Sequence, residues 1–274
     1  MKRKFLILLL CITICISASV TALADAAVYG SDFTAAYSIK LNTAPGTSLD
    51  EAQAFLDELL AFDGTLPDAA VSAYFGFIAR ISDALWDDHY DDDAFAESLG
   101  VDSIISPRYG EGGIGYALNY GATRAALTGR LSDAFEDYLT IMAKYFVGYI
   151  VDDMALMLTW DELAQLLVEL SVFRISYPRF DLIATVDSDI EFCVLLYAGC
   201  YNLDNTPVIY YDDTLNAEVK ASYEKFLSDP ASGDVLYYDD IALLYDIWKA
   251  NDFKCNDAVR AAISALENKL DPMS

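Results

Sequence analysis

Apolar positions recur at helical spacing along most of this chain. Leu49, Ala52, Phe55, Leu56, Leu59 and Leu60 make one stripe, and Ser48-Leu49-Asp50-Glu51 at its head reads as a capping box. The spacing predicts a helix that Asp63-Gly64 ends. A second helix is predicted from Pro67, with Val71, Tyr74, Phe75, Ile78, Ile81 and Leu85 on its apolar face. Acidic residues crowd positions 87–93, where Asp93 reads as the N-cap of a short helix to Leu99. Later helices fit Ser132 to Val151, Asp187–Tyr201, Leu215–Ser228, Gly233–Ala250 and Asn256–Leu270. Between them Thr159-Trp160-Asp161-Glu162 forms a second capping box, opening a helix that runs to Ser176 and stops at Pro178.

Two stretches break the rhythm. Residues 25–47 are mixed and turn at Pro45-Gly46, which predicts an irregular or short extended lead-in. Residues 100–130 are rich in glycine. They read as a long functional loop, or as a turn followed by a short helix near Tyr116–Leu127. Alternation of apolar and polar residues is scarce, so little β structure is expected. The fold class is therefore all-α: antiparallel helical hairpins stacked into a tetratricopeptide-like short solenoid or an irregular bundle. Residues 25–130 form an N-terminal helical region with the glycine-rich loop and residues 131–274 a C-terminal helical region, expected to make one compact unit.

The chain begins with a different pattern. Lys2, Arg3 and Lys4 precede an apolar run from Phe5 to Ile16, and Ala22-Leu23-Ala24 offers the small residues of a cleavage site. Residues 1–24 read as a secretory signal peptide, with a run too short to span a bilayer. Cys11 and Cys15 follow bulky residues, Leu10 and Ile14, so neither fits a lipobox. A secreted or cell-envelope location follows, with no membrane span left after cleavage. The full chain carries a formal charge of −26, and loss of the basic leader deepens it. A field of that sign repels phosphate backbones, which excludes nucleic acid as a partner.

Three cysteines remain beyond the leader: Cys193, Cys200 and Cys255. Cys193 and Cys200 are too far apart on one helix to bridge each other. Either Cys255 pairs with one of them, or all three are buried thiols. No zinc-ligand spacing is present.

Within this C-terminal half, Thr159-Trp160-Asp161-Glu162-Leu163, Tyr177-Pro178, Leu203-Asp204-Asn205-Thr206-Pro207-Val208 and Ser222-Tyr223-Glu224-Lys225-Phe226 form a pattern. It resembles a family of uncharacterised bacterial exported proteins and lipoproteins over residues 130–255. The resemblance implies a helical, tetratricopeptide-like module in a bacterial envelope and no known activity. Arg179-Phe180 departs from the small polar residues usual in a tetratricopeptide-like turn.

Chemistry-bearing residues are few. Gly110-Glu111-Gly112-Gly113-Ile114-Gly115 fits G-x-G-x-x-G in letters, but Pro107 and Arg108 stand where a strand should end, and no parallel-sheet pattern surrounds it. No cofactor is expected. The glycines instead allow tight backbone geometry on a loop bearing Arg108, Tyr109, Glu111, Tyr116, Asn119 and Tyr120, the first candidate binding surface. The polar loop 202–213, with Asp204 and Asn205, is the second. His89 is the single histidine, set among acids, and no G-x-S-x-G elbow accompanies it. The acidic run 87–93 supplies oxygens for a hard cation such as Ca²⁺ but does not fit an EF-hand loop. These residues point to a secreted, non-enzymatic binding or scaffold protein whose partner is an extracellular protein, peptide or glycan. The alternative is a carboxylate-dependent, glycan-acting enzyme, with Glu111 the first acid to test.

Overall fold

The computed structural model describes residues 30–110, 112–152, 155–200, 210–211 and 213–270. The leader at 1–24, Glu111, Asp204 and Asn205 lie outside the described residues. Helices dominate, as the periodicity predicts, and their buried faces form one continuous core from Tyr37 to Leu270.

The lead-in expected to be irregular is, from residue 30, a helix: α1 (30–43). Phe33, Tyr37 and Leu41 repeat every four residues, a stripe hidden among small and hydroxyl residues. Tyr37 and Leu41 are buried, and Phe33 stacks on Tyr37 at 5.4 Å and meets Phe62 at 4.6 Å. Tyr37 donates its hydroxyl to the carbonyl of Phe55 at 2.9 Å, tying α1 to α2 (Leu49–Ala61). Ser48 caps α2 by accepting from the Glu51 N–H, but the Glu51 carboxylate accepts from the N–H of Thr47, one residue earlier than a capping box requires.

Helix α3 (Asp68–His89) buries the predicted Val71, Tyr74, Ile78, Ile81 and Leu85 and adds Ala70 and Phe77, while Phe75 is only partly covered. The short α4 (Asp93–Ser98) is capped by Asp92 rather than Asp93, its carboxylate accepting from the Phe95 N–H at 3.0 Å. The stretch read as a loop is then a regular antiparallel hairpin, β1 (Ile105–Gly110) with β2 (Gly113–Leu118). The short helix beyond it, α5, spans Tyr120–Leu127 and starts four residues later than expected.

Helix α6 (Asp133–Tyr145) starts at its Ser132 cap but ends well short of Val151. The chain leaves it to form a two-residue hairpin, β3 (Val151–Asp152) with β4 (Ala155–Leu156). Helix α7 (Trp160–Ser176) carries the full capping box, and α8 (Ile183–Ala198) begins four residues before the predicted Asp187. After β5 (Tyr210–Tyr211) and β6 (Thr214–Leu215) come α9 (Ala217–Ser228), α10 (Tyr238–Ala250) and α11 (Asp257–Leu270).

Helix α7 sits at the centre of this half, packed against α6, α8 and α9. On its α6 side Phe180 meets Phe135, Phe173 and Tyr138 with ring centroids 4.7, 5.1 and 5.2 Å apart. The Phe135 and Phe173 pairs are edge-to-face, an arrangement that adds roughly 1 kcal/mol each beyond area burial. On its α9 side, Tyr223 donates to the Tyr197 carbonyl at 2.6 Å, and the Tyr197 and Ser222 hydroxyls pair at 2.9 Å. No disulfide joins Cys193, Cys200 and Cys255; Cys193 and Cys255 are buried, as expected, but Cys200 is only half-buried. Burial pushes the Cys193 thiol up, and Cys200 is pushed up to about 12, so neither forms a reactive thiolate. Among the described residues no helix is long and apolar enough to cross a membrane.

The capping box gives a direct check of local helix energetics. Thr159 accepts from the Glu162 N–H at 3.2 Å, and the Glu162 carboxylate accepts from the Thr159 N–H at 2.8 Å. Thr159→Ala is expected to lower stability by about 1 kcal/mol, read as a shifted urea midpoint with an unchanged slope. A midpoint equal to wild type would show that tertiary packing alone holds the start of α7.

Candidate functional site

The β1–β2 hairpin is gripped from both sides, and its glycines make the grip possible. In the register, Arg108 faces Gly115, Tyr109 faces Ile114 and Gly110 faces Gly113. On one side, Cβ atoms at Gly110 and Gly115 would meet the Tyr149 side chain, and one at Gly110 would also lie 2.9 Å from the Asp152 carboxylate. On the other, the last turn of α3 closes in. The Ile114 N–H donates to the Tyr90 carbonyl at 2.7 Å, and a Cβ at Gly113 would sit 2.7 Å from that same oxygen. Gly113 also has φ +124°, a region closed to L side chains. The G-x-G-x-x-G letters thus mark a strand pair squeezed between neighbours. No helix follows the turn, and the partner strand is antiparallel, so a dinucleotide fold is ruled out at this position.

The candidate residues divide by what their side chains do. Arg108 donates to the carbonyls of Phe146 at 2.9 Å and Gly148 at 3.2 Å, with Tyr149 beneath its guanidinium at 6.0 Å. It satisfies carbonyls where α6 ends, a place that favours a cation. Burial lowers its pKa from the ordinary arginine value, too little to discharge a guanidinium. Tyr116 donates to the His89 carbonyl at 3.0 Å, and Asn119 caps α5 while donating to the Val101 carbonyl at 3.1 Å. Tyr120 lies edge-on to Tyr138 and Phe146 and, with Asn119, lines a cleft of about 360 Å³ against Val101 and Val147. Tyr109 differs from these: it is 57% exposed.

The structure brings the glycine-rich segment and the acidic run together, a juxtaposition that sequence order conceals. Trp86 and Tyr90, one helical turn apart at the end of α3, stand over Gly113 and are 40% and 53% exposed, with ring centroids 6.3 Å apart. Tyr109, opposite Ile114 in the register, is a third exposed ring on the hairpin that meets this helix end. Trp86 escapes a reading of periodicity because it follows Leu85, the last residue of the buried stripe; its signal is the i, i+4 spacing to Tyr90 outside that stripe. His89 is held inward, stacked on Phe95 at 3.8 Å with Nδ1 3.1 Å from the Asp92 carboxylate. Asp92 is held below the usual carboxylate range, first by the Phe95 N–H and then by His89. This histidine–carboxylate pair fastens the start of α4. Among the described residues, no three acidic, histidine or cysteine side chains are placed to hold a metal ion.

A larger cleft, about 720 Å³, runs between the segment Leu156–Asp161 and α9, with Trp160, Glu218, Ser222 and Lys225 in its lining. Asp161 pairs with Lys225 at 2.6 Å, which holds its carboxyl below the ordinary range. A carboxylate kept ionised in this way cannot serve as the proton donor that glycoside cleavage needs.

The acid with the opposite behaviour is Asp189 on α8. Its Oδ2 is enclosed without a hydrogen-bond partner, and desolvation pushes its pKa from 3.8 up to about 6. Its charge is felt at Tyr120, Tyr138 and Cys193, so it lies behind the smaller cleft rather than in the larger one. Comparison with family models, with curated proteins and with solved structures finds no match to the chain.

Two outcomes follow from this geometry. Gly113→Ala must place a methyl against the Tyr90 carbonyl in a forbidden backbone region, so a loss of roughly 2–3 kcal/mol is expected in chemical denaturation. Wild-type stability in that variant would mean that the hairpin does not press on α3. For Asp189, the folded chain holds a proton that the unfolded chain releases. Its favourable contribution is complete below about pH 4 and disappears as pH rises through about 6. Asp189→Asn is expected to remove that fall and to be more stable than wild type by about 2 kcal/mol near pH 8, after allowance for partial exposure. Parallel melting-temperature curves for the two proteins from about pH 4 to 8 would contradict it.

Proposed function

We propose that this chain is a secreted, non-enzymatic binding protein of a bacterial cell envelope, and that it meets its partner through the aromatic edge of Trp86, Tyr90 and Tyr109. The observation that carries this reading is the exposure of three large aromatic side chains on a junction that is otherwise fastened. Exposed aromatics on rigid backbone bring contact area at low entropic cost. Arg108, Tyr116 and Asn119 support the reading by anchoring the hairpin, which leaves Tyr109 as its outward contribution. The leader pattern at 1–24 and the resemblance over 130–255 supply the location, and the same resemblance supplies the tetratricopeptide-like view of the C-terminal helices. The glycan-acting alternative draws on the 720 Å³ cleft, where Asp161 and Glu218 line the wall beside Trp160. It is the weaker reading because the Asp161 carboxylate is committed to Lys225 in an ion pair at 2.6 Å, which a nucleophile or base would have to leave.

The test uses the purified chain, immobilised and exposed to envelope extract, with bound species identified by mass spectrometry. A specific partner is expected to be lost from Trp86→Ala/Tyr109→Ala and retained by Ile175→Ala/Leu243→Ala, which removes exposed apolar groups elsewhere. Equal capture by both variants would overturn the assignment of the edge.

A further inference from the structure

On the reading that the Trp86–Tyr90–Tyr109 edge is the binding surface, we propose that its partner is a basic peptide segment whose Lys or Arg side chains lie over the Trp86 and Tyr90 rings. The starting point is the unpartnered helix face. Helical spacing puts Asp83 and Asp87 on the same face as Trp86 and Tyr90, at i, i+3, i+4 and i+7. Asp83, Asp87, Asp88 and Asp91 are all exposed, and among the described residues none of them enters an ion pair.

The cations of the surrounding elements are committed elsewhere. Arg80 donates to the Leu41 carbonyl at 2.7 Å and lies over Phe77. Arg108 is turned to Phe146 and Gly148 on the other side of the hairpin, and His89 faces Asp92. The rings therefore sit in an uncompensated negative field. A field of that sign repels anionic ligands and gathers cations, and a cation over an indole or phenol face gains a further attraction of its own.

Helix polarity adds a second, independent observation. Asp87 and Asp88 occupy the last turn of α3, where the helix dipole is negative and carboxylates are unfavourable. The carbonyls there are already satisfied, His89 by the Asp92 N–H and the Tyr116 hydroxyl, and Tyr90 by the Ile114 N–H. Among the described residues no cation pairs with those charges, whereas a bound ammonium or guanidinium group would. A neutral sugar would stack on the rings and leave this repulsion in place. Strand addition to β1 is a poor alternative, because Pro107 removes one edge donor.

The decisive experiment titrates the chain with a synthetic peptide of alternating Lys and Ser, followed by calorimetry and tryptophan fluorescence. Controls are the Glu/Ser peptide and a neutral N-acetylglucosamine oligomer. The Lys/Ser peptide is expected to bind, to weaken with added salt, and to lose roughly tenfold in affinity in Trp86→Ala and in Asp83→Asn/Asp87→Asn. Trp86→Phe should recover part of the loss. Asp239→Asn/Asp246→Asn removes the same charge from α10 and should bind like wild type. Far-UV circular dichroism and melting temperature, expected to match wild type, establish that each variant is folded. Equal losses in the two aspartate double variants would reduce the binding to net charge and overturn the proposal. Absence of binding, or binding indifferent to Trp86→Ala, would also overturn it. Trp86-dependent binding of the neutral oligomer without binding of the Lys/Ser peptide would reject the basic partner while leaving the aromatic edge as the binding surface.

Discussion

The organisation of the N-terminal half depends on one constraint: backbone at Gly110, Gly113 and Gly115 must approach its neighbours more closely than any side chain permits. Tyr149 and Asp152 close on one side, and the Tyr90 carbonyl on the other. That approach lets the Ile114 N–H reach the end of α3 and lets Arg108 reach the end of α6. Hairpin, helix end and the segment after α6 become one fastened unit. A two-stranded hairpin alone in water is marginal at best, so this fastening is what gives the strands their place. The exposed aromatic edge inherits its rigidity from the same contacts.

Charge works against this arrangement in part. The acids at the end of α3 oppose the helix dipole and one another, and they add to a net charge of −26. Asp189 adds a second local cost inside the bundle, since its carboxylate loses solvation without gaining a hydrogen bond. Such costs are tolerated because the core is continuous and rich in aromatic contacts around Phe180 and Tyr197. Local penalties of this kind mark places where a protein keeps something other than stability.

The helical part of the fold was largely legible in the sequence because its signals are local. Stripes such as Leu56–Leu59 and Ile78–Ile81–Leu85, and caps at Ser48, Ser132 and Thr159, need only a few residues to be read. What was hidden depends on distant partners. The glycines of β1 and β2 remove the alternation that identifies strands, and their purpose lies in Tyr149 and Tyr90, which sequence does not place beside them. Helix α1 escaped because its stripe has one large residue per turn. Among the candidate site residues, the glycine-rich segment was found but its internal division was not. Arg108, Tyr116 and Asn119 look as available as Tyr109 until their carbonyl partners are known. Trp86 was concealed by its place next to the buried stripe, and Asp189 by the apolar run that follows it.

The most direct measurement of the central claim, that the hairpin is held rigidly against α3 so that its aromatic edge is formed before any partner arrives, is hydrogen exchange across residues 105–118 in the free protein. Amides at Ile114 and along the paired strands are expected to exchange as slowly as those in the middle of α3, in a single cooperative unit with it. Exchange as fast as that of an exposed loop, while α3 stays protected, would contradict it.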